Sequence, residues 1–221
     1  MERYVDMREI SDGRLYEAED LVRADCGGCE GCSFCCEQMT DTILLDPLDV
    51  FSLCRGLALT PEALLQSALE LGVVDGIVLP HFRKTGDRGC CPYLNAAGRC
   101  QVHAFRPGFC RLFPLGRYYE AETRSFHYFL QTGECRKAAR AKVKVRRWIG
   151  VEDFARYERF IADWHFFLKD LQPVLACADA EKARRISLTI LQLFYLMPYQ
   201  TEADFYPQFD ARLARAADLL V

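Results

Sequence analysis

The sequence lacks the long apolar run that a membrane-spanning helix requires. Its longest candidate, ISLTILQLFYLM at residues 186–197, is shorter than the ~18 apolar residues of a typical span. The first twenty residues also lack the apolar segment of a secretion signal, because charged side chains are spread through MERYVDMREISDGRLYEAED. These two absences predict a cytoplasmic protein with no membrane partner.

Several signatures of enzymes are missing as well. The chain has only 4 histidines, and they follow no order of nucleophile, histidine and acid. There is no glycine-rich phosphate-binding loop and no recognisable pair of catalytic carboxylates. The formal net charge is -3, from 28 basic and 31 acidic residues, which gives no general attraction to nucleic acids or membrane surfaces. Whether the chain is an enzyme stays open at this point.

Cysteine is the residue that the sequence has in excess, with 12 among 221 residues. Thiols stay reduced in the cytoplasm, so a dense cysteine pattern there indicates metal binding or redox chemistry rather than disulfides. One group, CGGCEGCSFCC, occupies residues 26–36, and a second, CCPYLNAAGRCQVHAFRPGFC, occupies residues 90–110. Cys135 follows them, and only Cys177 lies beyond it.

The spacing inside the first group predicts a metal site. Cys26, Cys29, Cys32 and Cys35 repeat the C-x2-C spacing, in which a tight turn brings two sulfurs to one metal. The same repeat occurs in iron–sulfur loops, where a distant cysteine completes the cluster. Spacing alone leaves zinc and iron both open. Cys36 follows directly, and adjacent side chains point apart in most backbones, so we expect two metal sites or one multinuclear cluster.

The second group has a wider spacing. Cys91, Cys100 and Cys110 lie nine and ten positions apart, so each would approach a metal from a different loop. We therefore expect the metal to organise the fold of this segment. Four arginines among these cysteines would offset the negative charge of several thiolates: Arg99, Arg106, Arg111 and Arg117.

The rest of the sequence predicts an α+β fold, in which an irregular metal-organised cysteine-cluster domain with short strands packs on C-terminal helices. DPLDVFSLCRG predicts a helix capped by Asp46 and stopped at Gly56. TPEALLQSALELG predicts a second helix, capped by Thr60 and stopped at Gly72. LGRYYEAETRSFHYFLQ predicts a β-hairpin, because two aromatic runs flank polar turn residues.

In the last third of the chain, the spacing of apolar residues predicts helices. Apolar residues recur at threes and fours over residues 154–171, the spacing of a helix face that packs on a core. A second helix is predicted over residues 180–197 and a third near Pro207. We therefore divide the chain into a cysteine-cluster metal-binding region, residues 1–135, and a helical extension packed on it, residues 136–221, in one compact unit.

The cysteine motifs together resemble a known family. They are CEGCSFCC at residues 29–36, CPYLNAAGRC at 91–100, QVHAFRPGFCRLFP at 101–114, and Cys135. In this order they resemble the CxxCxxCC or YkgJ-like cysteine-cluster family, a zinc- or iron-chelating domain with eight characteristic cysteines. The resemblance covers about residues 26–140. It implies that eight cysteines are the metal ligands: Cys29, Cys32, Cys35, Cys36, Cys91, Cys100, Cys110 and Cys135.

Four further cysteines depart from this pattern: Cys26, Cys54, Cys90 and Cys177. We expect Cys54 and Cys177 to be small buried residues. Cys26 and Cys90 lie beside the implied ligands. The eight family positions already suffice for two four-coordinate sites, so we expect neither Cys26 nor Cys90 to be required for metal binding.

One segment of the chain is strongly basic. RKAARAKVKVRR, residues 136–147, has seven basic residues and no acidic one. Because the whole chain is net acidic, we expect this segment to be a solvated face, or counter-charge for the metal region, rather than a nucleic-acid binding site.

The resulting hypothesis is an iron–sulfur cluster protein with a redox or electron-transfer role and an unidentified redox or protein partner. The alternative is a protein that binds Zn²⁺, for structure or for metal chelation. A third hypothesis is an accessory domain of a protein-modifying, methylase-like system, since one branch of the resembled family is similar to flagellin lysine N-methylases. The chain itself has no glycine-rich loop after a strand that would hold S-adenosylmethionine.

Overall fold

The structure places short antiparallel strands in the first two thirds of the chain and longer helices at its end. The computed structural model describes residues 6–27, 32–38, 43–87, 89–137 and 141–220. The helices are α1 (Met7–Ile10), α2 (Phe34–Gln38), α3 (Pro47–Leu57), α4 (Pro61–Ala68), α5 (Gly108–Leu112), α6 (Val145–Ile149), α7 (Phe154–Cys177), α8 (Ala180–Leu191) and α9 (Phe205–Ala216). The strands are β1 (Leu21–Asp25), β2 (Leu69–Val74), β3 (Ile77–Phe82), β4 (Leu115–Glu120), β5 (Ser125–Leu130) and β6 (Ala141–Lys144). The predicted α+β class is confirmed.

The strands pair in twos, and each pair is antiparallel: β1 with β6, β2 with β3, and β4 with β5. The β4–β5 pair runs in continuous register from Leu115 opposite Leu130 to Glu120 opposite Ser125. Arg124, at φ 51°, is in the left-handed region in the connecting turn. This is the hairpin that the two aromatic runs predict.

The β1–β6 pair brings the basic segment back to the start of the chain. Val22 of β1 lies opposite Val143 of β6. Just before β1, Glu19 forms ion pairs with Lys144 at 2.7 Å and Arg146 at 2.9 Å. The far half of the basic segment therefore forms a strand and the start of α6, and Glu19 balances part of its charge.

Helix α3 begins where its sequence predicts. Asp46 accepts a hydrogen bond from the backbone N–H of Asp49, and the Asp49 carboxylate accepts one from the N–H of Asp46. The predicted stop at Gly56 is wrong, because the helix continues past it and ends with Ala58 as its cap. Gly56 instead permits a close approach, since a Cβ there would lie 2.6 Å from the ring of Phe105.

Helix α4 begins after Thr60, as predicted, but ends well before its expected stop at Gly72. The helix ends at Ala68, and the residues that continue its apolar period form strand β2. Gly72 lies opposite Leu79 in the β2–β3 pair, and a Cβ there would lie 3.1 Å from the ring of His81. The expected stop is therefore wrong, because pairing with β3 outweighs the local preference for helix.

The predicted C-terminal helices are present as α7, α8 and α9. The predicted second helix is α-helical only as far as Leu191, where α8 ends. The next residues, Gln192–Leu196, form a π-helical turn. Arg212 of α9 is buried and donates hydrogen bonds to the carbonyl oxygens of Leu193 and Met197. This guanidinium satisfies carbonyls that the helix end leaves open. Within the described residues, no helix is long and apolar enough to cross a membrane.

The hydrophobic core contains residues from both predicted regions. Its largest fully buried aromatic side chains are Phe82, Tyr128, Tyr157, Phe160, Phe194 and Phe209. A buried hydrogen bond also joins the two regions, because the hydroxyl of Tyr195 donates to the carbonyl oxygen of Leu45 at 3.0 Å. The division into residues 1–135 and 136–221 stays a prediction.

Replacing Gly56 by alanine should destabilise the protein, although alanine is the better helix former. The new methyl group would meet the ring of Phe105 at 2.6 Å, so the 3₁₀ turn His103–Phe105 would have to shift. We expect a loss of about 1–3 kcal/mol in the free energy of unfolding, measured by urea denaturation. Arg55→Ala, at the exposed neighbouring position, is the control. Equal stability of Gly56→Ala and the parent chain would contradict the close approach.

Candidate metal centre

The first cysteine group lies on and around helix α2. Cys35 and Cys36 are on this short helix, Cys32 precedes it, and Cys26 directly follows strand β1. All four side chains are half-buried. Cys29, which the family resemblance implies as a ligand, lies outside the described residues. Helix α2 therefore positions Cys35 and Cys36, whereas Cys26 and Cys32 lie on the segment before it.

A narrow pocket beside α2 brings distant cysteines together. Cys135 lies in the wall of the same pocket as Cys32 and Cys35. Cys26, which the eight-ligand set leaves out, lines this pocket too. The remaining wall is apolar or cationic: Phe34, Phe113, Pro114, Arg136 and Lys137. Three of the implied ligands, and Cys26, thus line one pocket, although Cys135 lies about a hundred residues after the others in the chain.

The second cysteine group is held against α2 by the backbone. The N–H of Cys91 donates a hydrogen bond to the carbonyl oxygen of Cys36, with 2.8 Å between nitrogen and oxygen. Cys91 is buried in the hydrophobic core, and both Cys36 and Cys100 pack against that core. The two groups are therefore neighbours in the structure.

Helix α5, which carries Cys110, is fixed at its start by a buried carboxylate. Asp49 of α3 accepts a hydrogen bond from the N–H of Gly108 at 2.7 Å. A Cβ on Gly108 would lie 3.0 Å from the hydroxyl of Tyr157, so this position has little room for a side chain. The sequence gives no sign of this role of Asp49, because its partner is 59 positions away and no local pattern indicates such a contact.

Burial disfavours the thiolate form of the second group. It raises the pKa of Cys91 to about 11, and it raises the pKa values of Cys100 and Cys110. Nearby thiols raise these pKa values further, and Cys35 raises the pKa of each of the three cysteines. These thiols are therefore protonated at neutral pH. A metal must displace their protons, so its binding strengthens as the pH rises.

The adjacent thiols of Cys35 and Cys36 are in contact. A hydrogen bond between the two side chains raises the pKa of Cys35, and burial raises it further. The expectation that these side chains point apart is wrong. It holds for an extended backbone, whereas consecutive side chains on a helix are only about 100° apart. One metal-binding region can therefore include both residues.

The cysteine thiols are of the right chemical type to bind a metal as thiolates. Thiolates are the ligands that zinc sites and iron–sulfur clusters use, and the backbone bond between Cys91 and Cys36 makes the two groups neighbours at α2. They do not form a closed ligand shell: in the part of the chain that the structure describes, no three His, Cys, Asp or Glu side chains are arranged so that they could hold a metal ion.

The buried hydroxyl of Tyr93 is consistent with a metal site at these cysteines. Tyr93 is 9% exposed, and its hydroxyl has no hydrogen-bond partner among the described residues. Burial raises the pKa of Tyr93 to about 12, and Cys91 and Cys54 raise it further. Leaving a buried hydroxyl unpaired costs free energy. A metal-bound thiolate would accept the hydrogen bond that this hydroxyl lacks.

Cations lie beside both cysteine groups. The guanidinium of Arg136, from the basic segment, is 3.7 Å from the ring centroid of Phe34 at the pocket wall. Arg106 favours the thiolate form of Cys100 and so opposes the effect of burial on its pKa. Arg117, by contrast, donates to the hydroxyl of a buried tyrosine in the core. Arg136 and Arg106 fit the predicted role of counter-charge, and Arg117 has a structural contact.

The remaining cysteines have separate environments. Cys54 is buried, as predicted. Cys177 is exposed, so its predicted burial is wrong: it is the last residue of α7, and this end of the helix faces solvent. Cys90 is half-buried and forms a β-bridge with Thr85.

Part of the chain matches a known family model. Residues 28–136 match the model of the CxxCxxCC family, which is described as a "Putative zinc- or iron-chelating domain". No curated protein and no solved structure matched the chain significantly. The resemblance to the CxxCxxCC family is thereby confirmed over residues 28–136, whereas the YkgJ-like name stays a prediction.

Replacing Tyr93 by phenylalanine should weaken metal binding without harming the fold. The variant removes only the unpaired hydroxyl, and loss of a hydrogen bond to a metal ligand typically costs about 10–100-fold in affinity. Competition with a chelator measures this change. Tyr195→Phe is the control, because it loses a buried hydrogen bond to Leu45 and should lose stability but not affinity. Unchanged affinity in Tyr93→Phe would contradict the proposed donor role.

Proposed function

Since residues 28–136 belong to the CxxCxxCC family, we propose that this chain binds an iron–sulfur cluster through its cysteines and serves redox chemistry or electron transfer in the cytoplasm. The family description covers zinc and iron alike, so metal binding follows from the family and the iron–sulfur cluster is our proposal. The proposed ligands come from the cysteines that meet around α2.

The packing of the second cysteine group is the observation that carries this proposal. Tyr93, Val102 and Leu112 lie among its cysteines and are buried in the core. We expected a metal to organise these loops, but apolar side chains also hold them. If the core holds this segment without the metal, a bound metal is available for chemistry. This favours a redox cluster over zinc with a purely structural role.

The surroundings of the thiols suit a cluster near the protein surface. Phe34, Phe113 and Pro114 give the pocket apolar walls, and Arg136 supplies positive charge against the thiolates. A bound iron–sulfur cluster supplies one-electron transfer, and its reduction potential depends on hydrogen bonds to sulfur and on solvent exposure. Half-buried cysteines leave the site open to an unidentified redox partner protein.

Zinc is the second candidate, because the family description names it together with iron. Zinc bound by four thiolates has no redox chemistry. A zinc form of this protein would therefore act in structural support or in metal chelation, with the same cysteines as ligands.

Protein purified without oxygen should be brown, because thiolate-bound iron–sulfur clusters absorb visible light. We expect iron and acid-labile sulfide to copurify with the chain, and the visible absorption to bleach on reduction by dithionite. The measurements are metal analysis, sulfide analysis and absorption spectra on one preparation. Colourless protein with stoichiometric zinc would rule out the redox proposal and leave the zinc alternative.

Replacing Cys91, Cys100 or Cys110 by alanine should lower the metal content while the chain stays soluble, because the core packs this segment. Cys54→Ala is the matched control: Cys54 is buried but outside the ligand set. This control should keep its full metal content and lose at most about 1–2 kcal/mol of stability. Metal per protein and circular dichroism are the measurements.

These variants also separate the two candidate functions. A structural zinc site makes metal binding part of the folding free energy, so each ligand variant would then aggregate or unfold. Loss of metal from folded, soluble protein supports the proposal. Unfolding of all three ligand variants beside a folded Cys54→Ala would contradict it.

A further inference from the structure

A groove of about 680 Å³ lies along helix α8 and is open to solvent. It is lined by α8, by the π-helical turn Gln192–Leu196 that follows, and by Arg215 of α9. No cysteine lines this groove, and all of its lining residues lie outside the family match over residues 28–136. The α8 groove is therefore a feature apart from the candidate metal centre.

The bottom of the α8 groove is apolar. Leu188, Leu196 and Met197 line it, and each keeps part of its surface exposed. Leu188 is 47% exposed, because it lies about 200° round the helix from Ile186 and Ile190, which pack in the core. Apolar side chains that share one concave surface gain free energy when another molecule covers them.

The edges of the α8 groove are cationic. Arg184, Arg185 and Arg215 line it and are exposed, and none of the three forms an ion pair with a carboxylate among the described residues. The lining includes one acidic residue, Glu181. The groove is thus locally positive, although the whole chain has a formal net charge of -3.

The π-helical turn in the lining is held from within the fold. The buried guanidinium of Arg212 donates to the carbonyl oxygens of Leu193 at 2.9 Å and Met197 at 2.8 Å. A π-helical turn often marks a functional site, and a surface that is already ordered loses less entropy when it binds a partner. The shape of the groove is therefore formed before any partner arrives.

We propose that the α8 groove binds an acidic amphipathic helix of a partner protein. The apolar stripe of that helix covers Leu188 and Met197, and its carboxylates pair with Arg184, Arg185 and Arg215. Helix α8 has 12 residues and is about 18 Å long, so the groove accommodates about three helical turns. This proposal goes beyond metal binding, since it concerns a surface without cysteines.

The charge and the shape of the groove favour this occupant over two others. In a symmetric dimer that joins two copies of the groove, the same arginines would face one another, and like charges repel. A membrane surface is flat on this scale and does not follow a concave groove. A helix with an apolar stripe and acidic flanks matches both the shape and the charge.

Labelled synthetic peptides test the proposal by fluorescence anisotropy with the full-length chain. The probe is a helical peptide of about 18 residues with Leu at positions i, i+3, i+4 and i+7 and Glu on the flanks. The matched peptide has Lys in place of each Glu. At physiological ionic strength, we expect the chain to bind the acidic peptide at least about tenfold more tightly. Equal affinity for the two peptides, or binding of neither, would overturn the proposal.

Variants of exposed residues locate the binding surface. The double variant Arg184→Glu/Arg185→Glu should weaken binding of the acidic peptide about tenfold or more and strengthen binding of the basic peptide, a reversal that a purely structural role would not produce. Leu188→Asn should weaken binding of the acidic peptide through loss of apolar contact. Lys182→Glu is the matched control, because Lys182 is exposed on the same helix but does not line the groove. Circular dichroism checks that each variant is folded. Unchanged affinities in the double variant would overturn the proposal.

Two further measurements test the other occupants. Sedimentation velocity would assign the groove to a second copy if the chain dimerises and Leu188→Asn abolishes the dimer. Cosedimentation with phosphatidylglycerol vesicles would assign it to a membrane surface if the chain binds them more tightly than the acidic peptide and the double variant does not. Either result would overturn the proposal. A chain that stays monomeric and does not bind the vesicles supports it.

Discussion

The candidate site depends on one backbone hydrogen bond, from the N–H of Cys91 to the carbonyl oxygen of Cys36. Helix α2 has only five residues, too few to be stable alone, so it needs an anchor on the core. The bond to the buried Cys91 provides that anchor. Asp49 provides a second one, because it binds the N–H of Gly108 and fixes the helix that carries Cys110. Together these contacts hold the segments that carry Cys91 and Cys110 against α2 and α3. The raised pKa values of these thiols follow first from burial and then from neighbouring groups.

The parts of the fold that sequence predicts well are those with local causes. The starts of α3 and α4 follow from a capping side chain and a proline at the first helical position, and the β4–β5 hairpin follows from its two aromatic runs. Gly56 and Gly72 were wrongly expected to end helices. Each lies beside a side chain brought by a distant segment, Phe105 in one case and His81 in the other. A glycine that leaves space for a side chain from a distant segment looks the same in the local sequence as a glycine that ends a helix.

The candidate site was predictable in its chemistry but not in its arrangement. Cysteine spacing and the family resemblance named the donors, because thiolate chemistry depends on residue type. The pocket that joins Cys135 to α2, the contact between Cys35 and Cys36, and the unpaired hydroxyl of Tyr93 all depend on the folded chain. The error at Cys177 has the same origin, since the small residues around it suggested burial and the end of α7 exposes it.

The exposure of Cys177 has a consequence for handling the protein. Among the described cysteines it alone is exposed, whereas the others are buried or half-buried. Oxidation and thiol–disulfide exchange require access to the sulfur. In air, we therefore expect two copies of the chain to cross-link first through Cys177, which lies far along the sequence from the two cysteine groups. A covalent dimer on a non-reducing gel would then result from oxidation during storage and would not indicate a native dimer. We expect it to form while the thiols of the two cysteine groups are still reduced.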